Sequence, residues 1–142
     1  MRFLLDTNLL SEGAKPHPDP GVVAWLDGQS PLDMTISALT FGEIRKGVDL
    51  LDPGARRDRL ESWLATDLPR QFLGRVLPVD EAVSMEWGRL SAAARRSGRP
   101  LPLVDGLLVA TAVVHGLVLV TRNERDCAGR GATVLNPWSD SA

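Results

Sequence analysis

The sequence predicts an α/β protein built on a parallel sheet. Short, continuous apolar runs alternate with helical segments along the whole chain. The runs do not alternate polar with apolar, which is the pattern of strands covered on both faces. The chain is 142 residues long with 44% hydrophobic and 24% charged residues, which fits one globular domain spanning residues 1–142.

Arg2–Leu5 reads as the first buried strand, stopped by Asp6-Thr7-Asn8, and a short helix comes next. Lys15–Pro20 carries three prolines and cannot be helical. Asp19 with Pro20 then starts a helix through Trp25 and Leu26, with Pro20 at its first position. Asp33–Ser37 reads as the second strand and Ala38–Leu51 as a helix. Asp52-Pro53 is expected to start a further helix carrying Leu60, Trp63 and Leu64. Arg75–Leu77 is a short third strand, and Asp80 caps a helix ending at Gly98. Leu103–His115 is apolar almost all round and is expected to be buried. Leu117–Thr121 is the clearest strand, Thr121–Cys127 a polar loop and Thr133–Leu135 a last short strand.

Composition excludes several classes of function. With one cysteine, Cys127, no internal disulfide forms. Asp6 interrupts the first apolar run, so no secretory leader is expected. No run reaches the roughly 18 apolar residues of a membrane span, and the expected location is the cytoplasm. The net charge of −2 argues against gripping nucleic acid by bulk electrostatics. Residues 1–43 carry six acids and two bases, whereas the remainder carries twelve acids and fourteen bases. His17 and His115 have no partners at metal-ligand spacing, and no glycine-rich phosphate loop or Ser/His/Asp set is present. Trp25, Trp63 and Trp87 are expected in the core or at an interface.

Carboxylates stand where a fold of this class puts its ligands. In parallel α/β sheets the site lies beyond the carboxyl ends of the strands. Here that rule points to Asp6, to Ser37 and the helix after it, and to Thr121-Arg122-Asn123. On a helical wheel Glu43 falls about 40° from Leu39, inside the apolar arc. An isolated buried charge is costly, so Glu43 needs an Arg partner or a metal. Asp105 is the one acid of the apolar helix. Each has a plainer reading: Asp6 as an N-cap, Asp105 as a first-turn acid favoured by the helix dipole, Asn123 and Asp126 as loop residues. Together, with no lysine expected near these positions to pair with them, they suit a hard divalent cation held through oxygen.

These residues also carry a resemblance. "LLDTN" at Leu4–Asn8, Glu43 in "ALTFGEIRKGV", "LVDGLLVATA" at Leu103–Ala112 and "LVTRNERD" at Leu119–Asp126 resemble, in order, the pattern of PIN domains. Within that family the chain is most similar to the VapC and FitB-like toxins. The resemblance implies a three-layer α/β/α domain with a short central parallel sheet. It implies a metal-dependent endoribonuclease acting as the toxin of a toxin–antitoxin pair. Asp6 and Asp105 would hold Mg²⁺ or Mn²⁺, with Glu43 completing the site directly or through water. The family's fourth acid falls on Asn123, which has no charge; Asp126 is the alternative source. Asp6, Glu43, Asp105, Asn123 and Asp126 are therefore the expected catalytic set. Thr7, Asn8 and Thr121 are expected to hold Asp6, and Cys127 is expected to be inert packing. The resemblance further implies a homodimer, a cognate antitoxin over the pocket, an RNA substrate, and operator DNA reached only through the antitoxin. Two rivals remain open: a catalytically silent PIN-fold binding module, and a metal-dependent phosphatase using Asp6 as nucleophile. The latter usually has a second Asp two residues on, where this chain has Asn8.

Overall fold

The computed structural model describes residues 1–139. Residues 140–142 of the expected domain lie outside the described residues. Five strands form one sheet: β1 (Phe3–Leu5), β2 (Met34–Ser37), β3 (Val76–Leu77), β4 (Val118–Val120) and β5 (Val134–Leu135), in the order β3-β2-β1-β4-β5. Every pairing is parallel, with Leu4 of β1 opposite Thr35 of β2 and Leu119 of β4. The eight α-helices are α1 (Thr7–Gly13), α2 (Pro20–Asp27), α3 (Ala38–Asp49), α4 (Ala55–Ser62), α5 (Leu68–Gln71), α6 (Glu81–Ser97), α7 (Leu103–His115) and α8 (Glu124–Cys127).

Alternation along β1 divides the core. Phe3 and Leu5 face one cluster with Leu9, Val22, Ile36, Ile44 and Phe72. Leu4 faces the other with Leu108, Val109, Leu119 and Cys127. Helices α1–α5 thus cover one face and α6–α7 the other, which explains why the strands are apolar on both sides. Buried Thr35 is satisfied by donating its hydroxyl to the Phe3 carbonyl at 2.8 Å. No helix among the described residues is long and apolar enough to cross a membrane.

The chain winds from β1 outward through β2 to β3, then crosses to the other side of β1 for β4 and β5. The reversal makes a crevice at the carboxyl ends of β1 and β4, the switch point where such sheets hold ligands. Gly116, at φ 65°, ends α7 in the left-handed region. The Leu117 amide then donates back to Ala112, turning the chain directly into β4.

Several expectations are corrected. The helix expected from Asp52-Pro53 starts at Ala55 behind extended Gly54, with no side-chain cap, because the reversal after α3 uses residues 51–54. A π-helical turn, Trp63–Asp67, joins α4 to α5. Part of the expected 121–127 loop is α8, a single turn too short to show periodicity. Helix α7 is not buried all round: Leu103 and Val114 are exposed, since α6, α8 and the sheet leave part of it uncovered.

Candidate metal and nuclease site

Asp6 follows β1 and caps α1, so its side chain is fixed by the strand-to-helix turn. It accepts from the Thr7 amide at 2.6 Å through Oδ1 and from the Thr121 hydroxyl at 2.6 Å through Oδ2. Thr121 follows β4, so this bond ties the two strands at the switch point. The Asn8 backbone also faces Asp6, while its side chain is exposed. Asp6 is only 7% exposed. Burial pushes its carboxyl above the usual range, Glu43 adds to the rise, and Thr121 opposes it.

Glu43 reaches the crevice from α3. The buried stripe of α3 is Thr40, Ile44 and Val48, and Glu43 lies half-buried at its edge, not inside it. The expected arginine partner is replaced by the Thr7 hydroxyl, which donates to Glu43 Oε1 at 2.6 Å. Thr7 thus bonds Asp6 by its amide and Glu43 by its hydroxyl. Asp105, in the first turn of α7, takes one hydrogen bond at Oδ2 from the Asn123 amide at 2.9 Å. Its burial, then Asp6 and Asp126, push its carboxyl upward. Gly106 lets α7 approach α6: a Cβ there would lie 3.1 Å from Trp87 Cδ1 and 3.2 Å from Leu101.

Asn123 joins the group differently from a fourth acid. Its Nδ2 donates to Asp105 Oδ2 and to Asp126 Oδ2 at 3.0 Å. Asp6, Glu43, Asp105 and Asn123 line one cavity of about 480 Å³. Asp126 does not line it; it stands behind Asn123 and orients that amide. Cys127 is buried and its thiol is pushed up to about 12, chiefly by burial and then by Asp105, which agrees with inert packing.

Further residues line the cavity. Glu12, on α1, lines the cavity though it is nearly buried. It accepts from Lys15 at 3.1 Å, from the Asp19 amide at 3.1 Å and from Trp138 Nε1 at 3.4 Å. Lys15 also reaches the cavity, correcting the expectation that no lysine lies near the acids; it is engaged by Glu12. Trp138, 4% exposed, forms a wall of the cavity, with the Arg122 guanidinium 5.6 Å from its ring centroid. A Cβ on Gly21 would lie 2.4 Å from the Pro137 carbonyl, so glycine there lets the carboxyl-terminal segment lie against α2.

Comparison with known proteins agrees with this geometry. The PIN domain model matches residues 3–128.

This chain belongs to the PIN-domain family.

Within the family it falls in the VapC/FitB-like group. It is similar to Toxin FitB of Neisseria gonorrhoeae, 38% identical over 97% of this chain and 99% of that protein. It is also similar to VapC ribonuclease Y4jK of Sinorhizobium fredii, 37% identical over 96% and 97%. Among solved structures, FitAB bound to an IR36 DNA fragment superposes with a TM-score of 0.90 at 36% identity, covering 96% of this chain and 95% of that one.

The donor set fits a hard divalent ion. Asp6 raises the proton affinity of Asp105, and the hydrogen bonds these two carboxylates receive from side chains are one hydroxyl and one amide. Asp105 Oδ1 accepts no hydrogen bond among the described residues. No group of three or more His, Cys, Asp or Glu among the described residues could hold a metal ion. Asp6 and Asp105 offer two carboxylates, and Mg²⁺ is commonly held by one or two, with waters and phosphate oxygens completing the shell.

Proposed function

We propose that this chain is an endoribonuclease, the toxin of a toxin–antitoxin pair, hydrolysing RNA phosphodiester bonds with Mg²⁺ or Mn²⁺ as cofactor. The observation carrying the reading is the convergence of Asp6, Glu43 and Asp105 on one cavity at the sheet's switch point. The names of similar proteins, a FitB toxin and a VapC ribonuclease, support the reaction class.

Asp6 and Asp105 would hold the ion. When bound, it supplies polarisation of water and neutralisation of the phosphate's charge. Thr7 and Thr121 fix the Asp6 carboxylate, and Thr7 also fixes Glu43. Glu43 keeps Oε2 free of hydrogen bonds among the described residues and takes the proton of the attacking water. The water oxygen bonds to phosphorus as the bond to the ribose oxygen breaks; that oxygen leaves with the bonding electron pair and takes a proton from solvent water, while Glu43 returns its proton to solvent. Asn123 orients Asp105, and Asp126 orients Asn123. Glu43 is favoured over Asp126 as the proton acceptor because Asp126 lies outside the cavity. The similarity to FitAB on DNA supports an antitoxin as protein partner and operator DNA reached through it, and the proposal includes a homodimer of this chain.

The test is cleavage of total cellular RNA by purified protein with Mn²⁺ or Mg²⁺, against EDTA and Asp105→Asn controls, with new 5′ ends sequenced. Discrete, metal-dependent cuts lost in the variant are expected. Neither cuts nor metal binding would replace the nuclease with a silent PIN-fold binding module.

A further inference from the structure

A second cavity, about 590 Å³ in volume, opens from the acidic crevice. Thr7, Ser11, Lys15 and Glu43 line both, so the two are continuous. Ile44 and Val48 of α3 and Leu60 and Trp63 beyond it make its floor apolar. Its rim is basic: Arg56 and Arg59 of α4, with His17 and Lys15 opposite. Glu43 is the one acid on its lining, at the end nearest the crevice.

The arginines of α4 divide by what they do. Arg57 turns toward α3, donating to the Leu51 carbonyl at 3.3 Å and standing 4.0 Å from Asp49. Arg45, on α3, is held by Asp49 and Glu61. Arg56 and Arg59 have no ion pair or hydrogen bond among the described residues. They lie three residues apart, and Trp63 comes four after Arg59, so all three share one helix face. That face meets the π-helical turn at Trp63, where the Leu68 amide donates to the Trp63 carbonyl. Such turns recur at functional sites. Trp63 also walls a further hollow with Arg59 and Leu60, and Asp67 on its lining ends the positive rim.

We infer that this trough is the path of single-stranded RNA leading away from the cutting site, with a base stacked on Trp63 and the flanking phosphates on Arg56 and Arg59. An apolar, aromatic floor under a basic rim is the chemistry of an unpaired strand, which offers ring faces and phosphates together. A duplex buries its bases and gains nothing from Trp63. The location explains how a chain of net charge −2 holds a polyanion: unpaired arginines are placed beside the crevice. The inference rests on the reading of the chain as an RNA-cutting enzyme.

The test uses the full chain carrying Asp105→Asn, with Mg²⁺ present, and a fluorescein-labelled single-stranded RNA of about 12 nucleotides. Binding is measured against salt concentration. Arg56→Ser with Arg59→Ser is expected to weaken binding at least tenfold and to flatten the log–log salt slope by about 1.4, the value for two lost phosphates on a single strand. Trp63→Leu keeps an apolar floor and is expected to weaken binding about five- to a hundredfold with the salt slope unchanged. Arg96→Ser, outside the trough, is the control that changes neither. Unchanged affinity and slope in the trough variants overturns the inference and assigns the face to a protein segment. If the wild type cuts RNA while the trough variants bind as it does, the trough fails and the nuclease stands. Strand binding lost in the trough variants, with no cutting by the wild type, retains the path and removes the nuclease.

Discussion

Two sets of acids meet at one cavity, which Asp6, Asp105 and Glu12 line, and live by opposite rules. On one side Asp6 and Asp105 face other acids, and burial and repulsion raise their proton affinity. On the other, Glu12 and Asp19 are surrounded by donors that lower it: Lys15 first for Glu12, and the Ser139 hydroxyl first for Asp19. The first set, on the function proposed above, is the one a cation would satisfy. The second is satisfied within the chain and fastens α1, α2 and the carboxyl-terminal segment together. Burial raises the first set, and donors outweigh it in the second, so a carboxylate's neighbours separate a binding role from a structural one.

That contrast is broken most severely by neutralising one acid of the first set. Asp105→Asn should lower RNA cleavage at least about a hundredfold, about 3 kcal/mol of transition-state stabilisation. The same change removes a repelled charge, so the metal-free variant should melt at or above the wild-type temperature by calorimetry. A fall in melting temperature would make Asp105 structural and move the site elsewhere.

A cation should distinguish the two sets next. At about one hundred times its dissociation constant Mn²⁺ should stabilise the wild type by about 2.7 kcal/mol, raising the melting temperature by about 5–10 °C. The rise should vanish with EDTA and in Asp105→Asn, and persist in Glu12→Gln.

Glu12→Gln should give the reverse pattern, destabilising the fold by about 1–3 kcal/mol because it weakens three hydrogen bonds in a buried place. Its pH dependence carries a sign. The native pKa values of Glu12 and Asp19 lie below their ordinary 4.5 and 3.8, so their stabilisation is complete above those values. It is lost as pH falls below about 4.5 toward the native values. Urea titrations from pH 6 to pH 3 should therefore show a shallower acid loss in Glu12→Gln than in the wild type. Equal slopes would mean that the clamp carries no charge-dependent stability.

Much of the first set is legible in the sequence, and almost none of the second. Asp6 and Asp105 stand out because each interrupts or abuts an apolar pattern. The place of the crevice needs only the apolar runs and the rule that puts sites past strand ends. Glu12 has no such signal: it sits in a short helix of mixed polarity, and its partner Trp138 lies 126 residues away. No periodicity encodes a contact at that separation. The roles of Asn123 and Asp126 are indistinct in the sequence for a related reason, since α8 is one turn long and which side faces the crevice depends on packing. The π-helical turn is likewise invisible locally, because Trp63–Asp67 has an ordinary helical composition.

The bond between Thr121 and Asp6 spans 115 residues, and it sets an order in time. A ribosome makes β1 and its carboxylate at the outset, and Glu43 not long after. The hydroxyl that aims Asp6, and the strand that completes the switch point, come only once four-fifths of the chain exists. A growing or truncated polypeptide thus carries the acids without the crevice. On the function proposed above, the cutting site is a late product of synthesis, and a chain interrupted before β4 lacks it.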